Sequence, residues 1–65
     1  MTDLNETEYP PQMLREESAA AVLDVAPKTL RNWRSRGEGP PYRKLRGAGV
    51  RYWVHELLQW ADAQQ

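Results

Sequence analysis

Sixty-five residues bound this chain to one domain, with a core too small to spare a large apolar side chain. The absence of cysteine excludes a disulfide framework and a thiolate zinc site, and with His55 the only histidine no metal cage is expected. Formal net charge is zero, but the charges are segregated: Met1 to Gln12 holds Asp3, Glu6 and Glu8 without a base, whereas Pro27 to Trp53 holds eight bases against the single acid Glu38, a local balance of +7. That local field, not the whole-chain sum, governs attraction to a polyanion. No apolar run reaches the length of a membrane span and no signal-peptide pattern opens the sequence, so a cytoplasmic protein without a membrane partner is expected.

In chain order, residues 1–12 are polar and acidic. Pro10-Pro11 extends the chain there, and the segment is expected to be a flexible tail ahead of a domain over 13–65. Residues 15–23 are rich in helix formers, with Glu16 and Glu17 in the first turn, where the helix dipole favours acids. Ala19, Ala20 and Leu23 form the expected buried stripe, small enough to admit a second helix closely. Asp24-Val25-Ala26 breaks the pattern, and Pro27 suits the first position of a second helix running to about Arg36, stopped by Gly37. Leu30 and Trp33 face inward on it, while Lys28, Arg31, Asn32 and Ser35 occupy the outer surface. Two short helices joined tightly, the second basic outside, read as a helix-turn-helix.

After Gly37-Glu38-Gly39-Pro40-Pro41 the period changes. Tyr42–Leu45 and Val50–Tyr52 bracket Arg46-Gly47-Ala48-Gly49, which reads as a β-hairpin. Val54 to about Ala63 returns to helical spacing, with Val54, Leu57, Trp60 and Ala61 on one face. The expected class is mainly α with a small hairpin. Trp33, Tyr52 and Trp60 stand at core-facing positions and are expected to be buried. Tyr52 and Trp53 should point to opposite faces of an extended segment. Trp53 with Leu58 then forms either an apolar patch for another protein or a seat for the tail. His55 reads as a surface residue. No nucleophile, base and orienting acid stand in suggestive relation and no phosphate-binding glycine loop appears, so neither an enzyme, a cofactor nor a small-molecule substrate is expected.

Ala20 and Leu23, then Val25, then Thr29-Leu30-Arg31-Asn32-Trp33-Arg34, Gly37-Glu38-Gly39-Pro40-Pro41, Val50-Arg51-Tyr52, and Leu57 with Trp60 follow one another in a specific order over residues 14–61. In this the chain resembles the excisionase and AlpA-type branch of the MerR-like winged helix-turn-helix proteins. It departs from them at Arg15 and Ala26, where the family usually has a Ser or Thr helix cap, so both helix starts are expected to fray. Ser18 replaces a common Glu, and Trp53 stands where the family tends to be charged.

The resemblance implies a winged fold whose second helix enters the major groove of double-stranded DNA while the hairpin touches the backbone beside it. The residue chemistry agrees. Arginine forks onto guanine and asparagine onto adenine, so Arg31 and Asn32 are the first candidates for base contact, then Lys28 and Ser35. Thr29 is placed to donate to a phosphate near the helix N-terminus. Arg46 and Arg51 flank the hairpin loop, where Gly47 and Gly49 allow close approach to phosphates or entry to the minor groove, or simply form a tight turn. Of Arg43 and Lys44, one is expected on phosphate and the other in solvent. The resemblance further implies an excisionase, a recombination directionality factor that bends DNA at the end of a phage or mobile element and positions an integrase for excision. Lacking the long dimerisation helix of MerR regulators, such a chain is expected to associate with copies of itself on DNA. A small AlpA-like transcription regulator is the alternative. A protein-interaction module without DNA binding, suggested by the acidic tail and Trp53, is the alternative of another class.

Overall fold

The computed structural model describes residues 12–64. Apart from Gln12, the tail read from the sequence lies outside the described residues. In chain order the elements are strand β1 (Met13–Leu14), helix α1 (Glu16–Leu23), helix α2 (Pro27–Ser35), strand β2 (Arg43–Leu45), strand β3 (Gly49–Trp53) and helix α3 (Val54–Asp62). The strands form one antiparallel sheet in the order β1-β3-β2. Three helices with a sheet-borne wing make this a winged helix-turn-helix.

The α1–α2 corner follows from local chemistry. Ala19 and Ala20 are fully buried, and without longer side chains they let α2 lie close. Helix α1 ends at Asp24, which adopts the left-handed conformation at φ 58°, and the Val25 N–H donates to the Ala20 carbonyl at 3.0 Å. This bond reaches five residues back and closes a Schellman turn, with Asp standing where Gly is commoner. Pro27 then begins α2 at a position whose N–H would have had no partner. Its far end repeats the device with the expected residue. Gly37 takes φ 72°, and the Glu38 N–H donates to the Trp33 carbonyl at 2.8 Å. Arg15 and Ala26, at the two helix starts, make no side-chain cap.

The core is Ala19, Ala20, Leu30, Tyr52 and Leu57, with Leu14, Leu23, Val25, Trp33 and Val50 packed around it. Each helix and the central strand contribute to it, so it fixes their mutual placement. Burying Leu30 alone is worth about 1.5–3 kcal/mol.

Two features depart from the sequence expectation. Strand β1 was not foreseen, because two residues are too short to display an alternation. Met13 pairs with Trp53 and Leu14 with Tyr52, while the Gln12 carbonyl accepts the Val54 N–H at 2.9 Å. That last bond satisfies one of the orphan donors at the start of α3, whose cap residue Trp53 supplies no side-chain bond. Gln12 is thus tied into the domain. The second departure concerns the tryptophans. Tyr52 is buried as expected, but Trp33 and Trp60 are only half-buried and lie against each other, centroids 5.5 Å apart and planes tilted by 48°. On α3, Leu57 alone is fully buried, with Val54, Trp60 and Ala61 half-exposed around it. The two indoles line a cleft of about 290 Å3 with Glu38, Gly39 and Gln64. Gly39 is required there. Its φ is +86°, and a Cβ on it would stand 2.9 Å from that of Trp33.

Candidate nucleic-acid interface

At about 100° per residue, Lys28, Arg31, Asn32 and Ser35 fall within roughly a 100° arc of α2, opposite Leu30. All four are exposed, whereas Thr29 at the margin of the arc is half-buried. The anchoring face holds Leu30 and Trp33, so the outer arc carries polar groups without a packing duty. The structure therefore brings the four base-contact candidates onto one exposed surface.

Arg34 lies toward the other side and does different work. Its Nη2 donates to Glu16 Oε2 at 2.9 Å, and its guanidinium stands 5.7 Å from the centroid of the Tyr42 ring. The Tyr42 and Tyr52 rings are 6.3 Å apart. One side chain thus links α2 to the first turn of α1 and to the root of the wing. The Glu16 hydrogen bond raises the Arg34 pKa above its ordinary value against the opposing effect of burial. Burial pushes the Tyr52 phenol above the usual tyrosine value, with the adjacent Arg34 charge pulling the other way. The Tyr52 hydroxyl and Arg34 Nε are both enclosed without a well-formed hydrogen bond among the described residues.

In the wing, Arg43 pairs with Arg51, Lys44 with Val50 and Leu45 with Gly49. Two arginines directly opposite would repel each other, and each is occupied. Arg43 Nη2 donates to Glu56 Oε2 on α3 at 2.9 Å, while Arg51 Nη1 donates to the Ala48 and Val50 carbonyls at 2.8 and 3.0 Å. Arg43 is therefore a strut between the wing and α3, and Arg51 braces the loop from within. Lys44, Arg46 and Gly47 are exposed, and Gly47 takes φ +76° with open space where a Cβ would be. Among the described residues, carboxylates lie within ion-pair distance of Arg31, Arg34, Arg36 and Arg43, but not of Lys28, Lys44, Arg46 or Arg51.

Trp53 is half-buried in β3, with its ring 5.9 Å from that of His55, and Leu58 is 46% exposed on α3. Glu16 and Glu56, which hold Arg34 and Arg43, were not singled out as partners in the sequence. Acids in the first turn of a helix already have a reason to be there in the dipole, and nothing in their spacing names an arginine 18 or 13 residues away.

No helix among the described residues is long and apolar enough to cross a membrane. A family model described as a helix-turn-helix domain matches residues 13–65, which is nearly the whole chain. No curated protein matches the sequence.

Proposed function

The chain belongs to the helix-turn-helix domain family and is a DNA-binding domain of that kind; from this premise we propose that it is an excisionase that reads bases with α2 and grips the backbone with its wing. The observation that carries base reading is the undivided exposed arc of Lys28, Arg31, Asn32 and Ser35 on a helix anchored from its opposite face. Arginine and asparagine there match the guanine and adenine edges of the major groove. Lys44 and Arg46 on the exposed wing, with Gly47 at its turn, supply phosphate contact. Thr29 donates to a phosphate at the helix entry.

The chain acts in this reading as a binding module and not as a catalyst. A single module of this size buries under about 1,000 Å² on DNA and is weak alone, so copies bind side by side on repeated sites. Bending of the occupied DNA then brings an integrase into position. Residue order over 14–61 supports the excisionase branch, and the same order supports the second reading, a small AlpA-like regulator at a promoter. Footprinting on the DNA that flanks the protein's own gene tests both. An excisionase protects a row of adjoining sites at the element end and shifts the mobility of permuted fragments by bending them. A regulator protects a promoter instead. Absence of protection and of any gel shift on these fragments overturns the DNA-binding proposal for this site and leaves the interaction module.

A further inference from the structure

We propose that Glu16 is a positioning residue that makes Arg31 selective for bases over phosphates, an inference that rests on α2 as the reading helix. The Glu16 carboxylate is not a freely solvated acid, since its side chain is only 17% exposed. Oε2 is fixed by the 2.9 Å bond from Arg34, which is itself 24% exposed and confined beside the Tyr42 ring. The remaining oxygen, Oε1, is thereby presented at a set place, 3.8 Å from Arg31 Nη1. Arg31 is 57% exposed and lies on the outer arc. Arg34 and Arg31 thus divide one carboxylate between them: the first holds it, and the second is steered by it.

A separation of 3.8 Å is within ion-pair range but too long for a hydrogen bond, so Arg31 is attracted without being captured. Two consequences follow from that balance. The guanidinium is biased toward one orientation, so less side-chain freedom is lost when its fork meets a base edge. Its charge is also partly compensated, and a phosphate approaching it meets the carboxylate as well. Random DNA, which seldom places a guanine in register with the fork, gains little from Arg31. A guanine offering two acceptors in the plane of the fork gains the full pair.

The test uses the full chain with two duplexes, one enriched from a randomised pool by the wild-type protein and one of random sequence and equal length. Glu16→Gln should bind the random duplex more tightly, with a salt-dependence slope steeper by roughly 0.9, as Arg31 becomes available to phosphate while Arg34, 24% exposed and packed beside Tyr42, stays withdrawn. Its preference for the enriched duplex should fall at least about fivefold. A merely structural Glu16 would instead weaken binding to both duplexes in parallel and leave the slope unchanged, which overturns the proposal. Should Glu16→Gln fail to fold, Arg31→Ala decides. With Glu16 in place, that variant should lose preference for the enriched duplex and keep the wild-type salt slope on the random one. A slope shallower by roughly 0.9 would show Arg31 already engaged on phosphate and sink the inference. A wild-type protein that enriches no duplex overturns the reading of α2 itself; one that enriches a duplex which Glu16→Gln prefers equally well overturns only the role of Glu16.

Discussion

Helix α2 and the β2–β3 wing both present cations, but α2 is fixed by what lies beneath it and the wing by how its chain turns. Under α2, Leu30 is 1% exposed against two fully buried alanines of α1, and Gly37 closes the helix with a Schellman turn. In the wing, every residue of β2 is exposed, and only Tyr52 of β3 is fully buried. Tyr52 and the pairing of β3 with β1 fix its root, and beyond that root the place of β2 and the turn depends on the Arg43–Glu56 bond, the Arg51 bonds to its own loop and a glycine at φ +76°. A surface held from beneath keeps its side chains in a fixed frame, which suits contacts that must match base edges. A finger held at its root tolerates small displacements, which suits contacts to a charge repeated along the backbone.

The largest effect that separates the two regions is on folding. Leu30→Ala should cost about 2–5 kcal/mol, enough to unfold much of so small a domain, and denaturant melts would show it. Lys44→Ala in the wing should leave the melt unchanged. Equal losses would break the distinction between a packed helix and an exposed finger. Gly39→Ala comes next, at about 1–3 kcal/mol, because the new methyl meets Trp33 at 2.9 Å while the backbone stays at positive φ. A neutral thermal melt for that variant would contradict both the close approach of Gly39 to Trp33 and the strain at its positive φ.

Within the wing, the contrast sharpens between residues that look alike in sequence. Arg46→Ala and Lys44→Ala should each flatten the salt dependence of DNA binding by roughly 0.9 in slope, if each contacts one phosphate. Arg43→Ala should change the slope less and lower the melting temperature more, since Glu56 already holds that guanidinium. The smallest effect is at Tyr52. Tyr52→Phe should be within about 0.5 kcal/mol of the parent at neutral pH, because the hydroxyl it removes is enclosed without a well-formed bond. The phenol pKa is raised in the folded state, so its contribution is fully present below the unfolded value near 10 and is lost as pH rises through the folded value. Melts above pH 10 should therefore decline for the parent and less for Tyr52→Phe. Identical alkaline limbs would mean that burial does not hold the phenol neutral.

Much of this was legible in the chain because its signals are local. Pro27 and Gly37 bracket α2, Leu30 and Trp33 mark its inner face, and the change of period after Pro41 marks the wing, with boundaries within one or two residues of those observed. What was not legible is held by pairs distant in sequence. The Gln12 carbonyl on Val54, the Met13–Trp53 pairing, Glu16 on Arg34 and Glu56 on Arg43 each join elements whose approach only the packed core determines. The half-exposed tryptophans teach the same lesson from the other direction. Helical spacing assigned Trp33 and Trp60 the core side, but spacing gives a direction and not a depth, and Gly39 leaves the indoles open to a cleft.

Selection from a randomised duplex pool by the parent, by Arg31→Ala and by Asn32→Ala tests the reading helix most directly. The parent should recover a defined motif, and each variant should lose preference at its own position while binding the parent's motif about 1–3 kcal/mol more weakly. Recovery of one unchanged motif by all three proteins would contradict the account, because the outer face of α2 would then not be in contact with the bases.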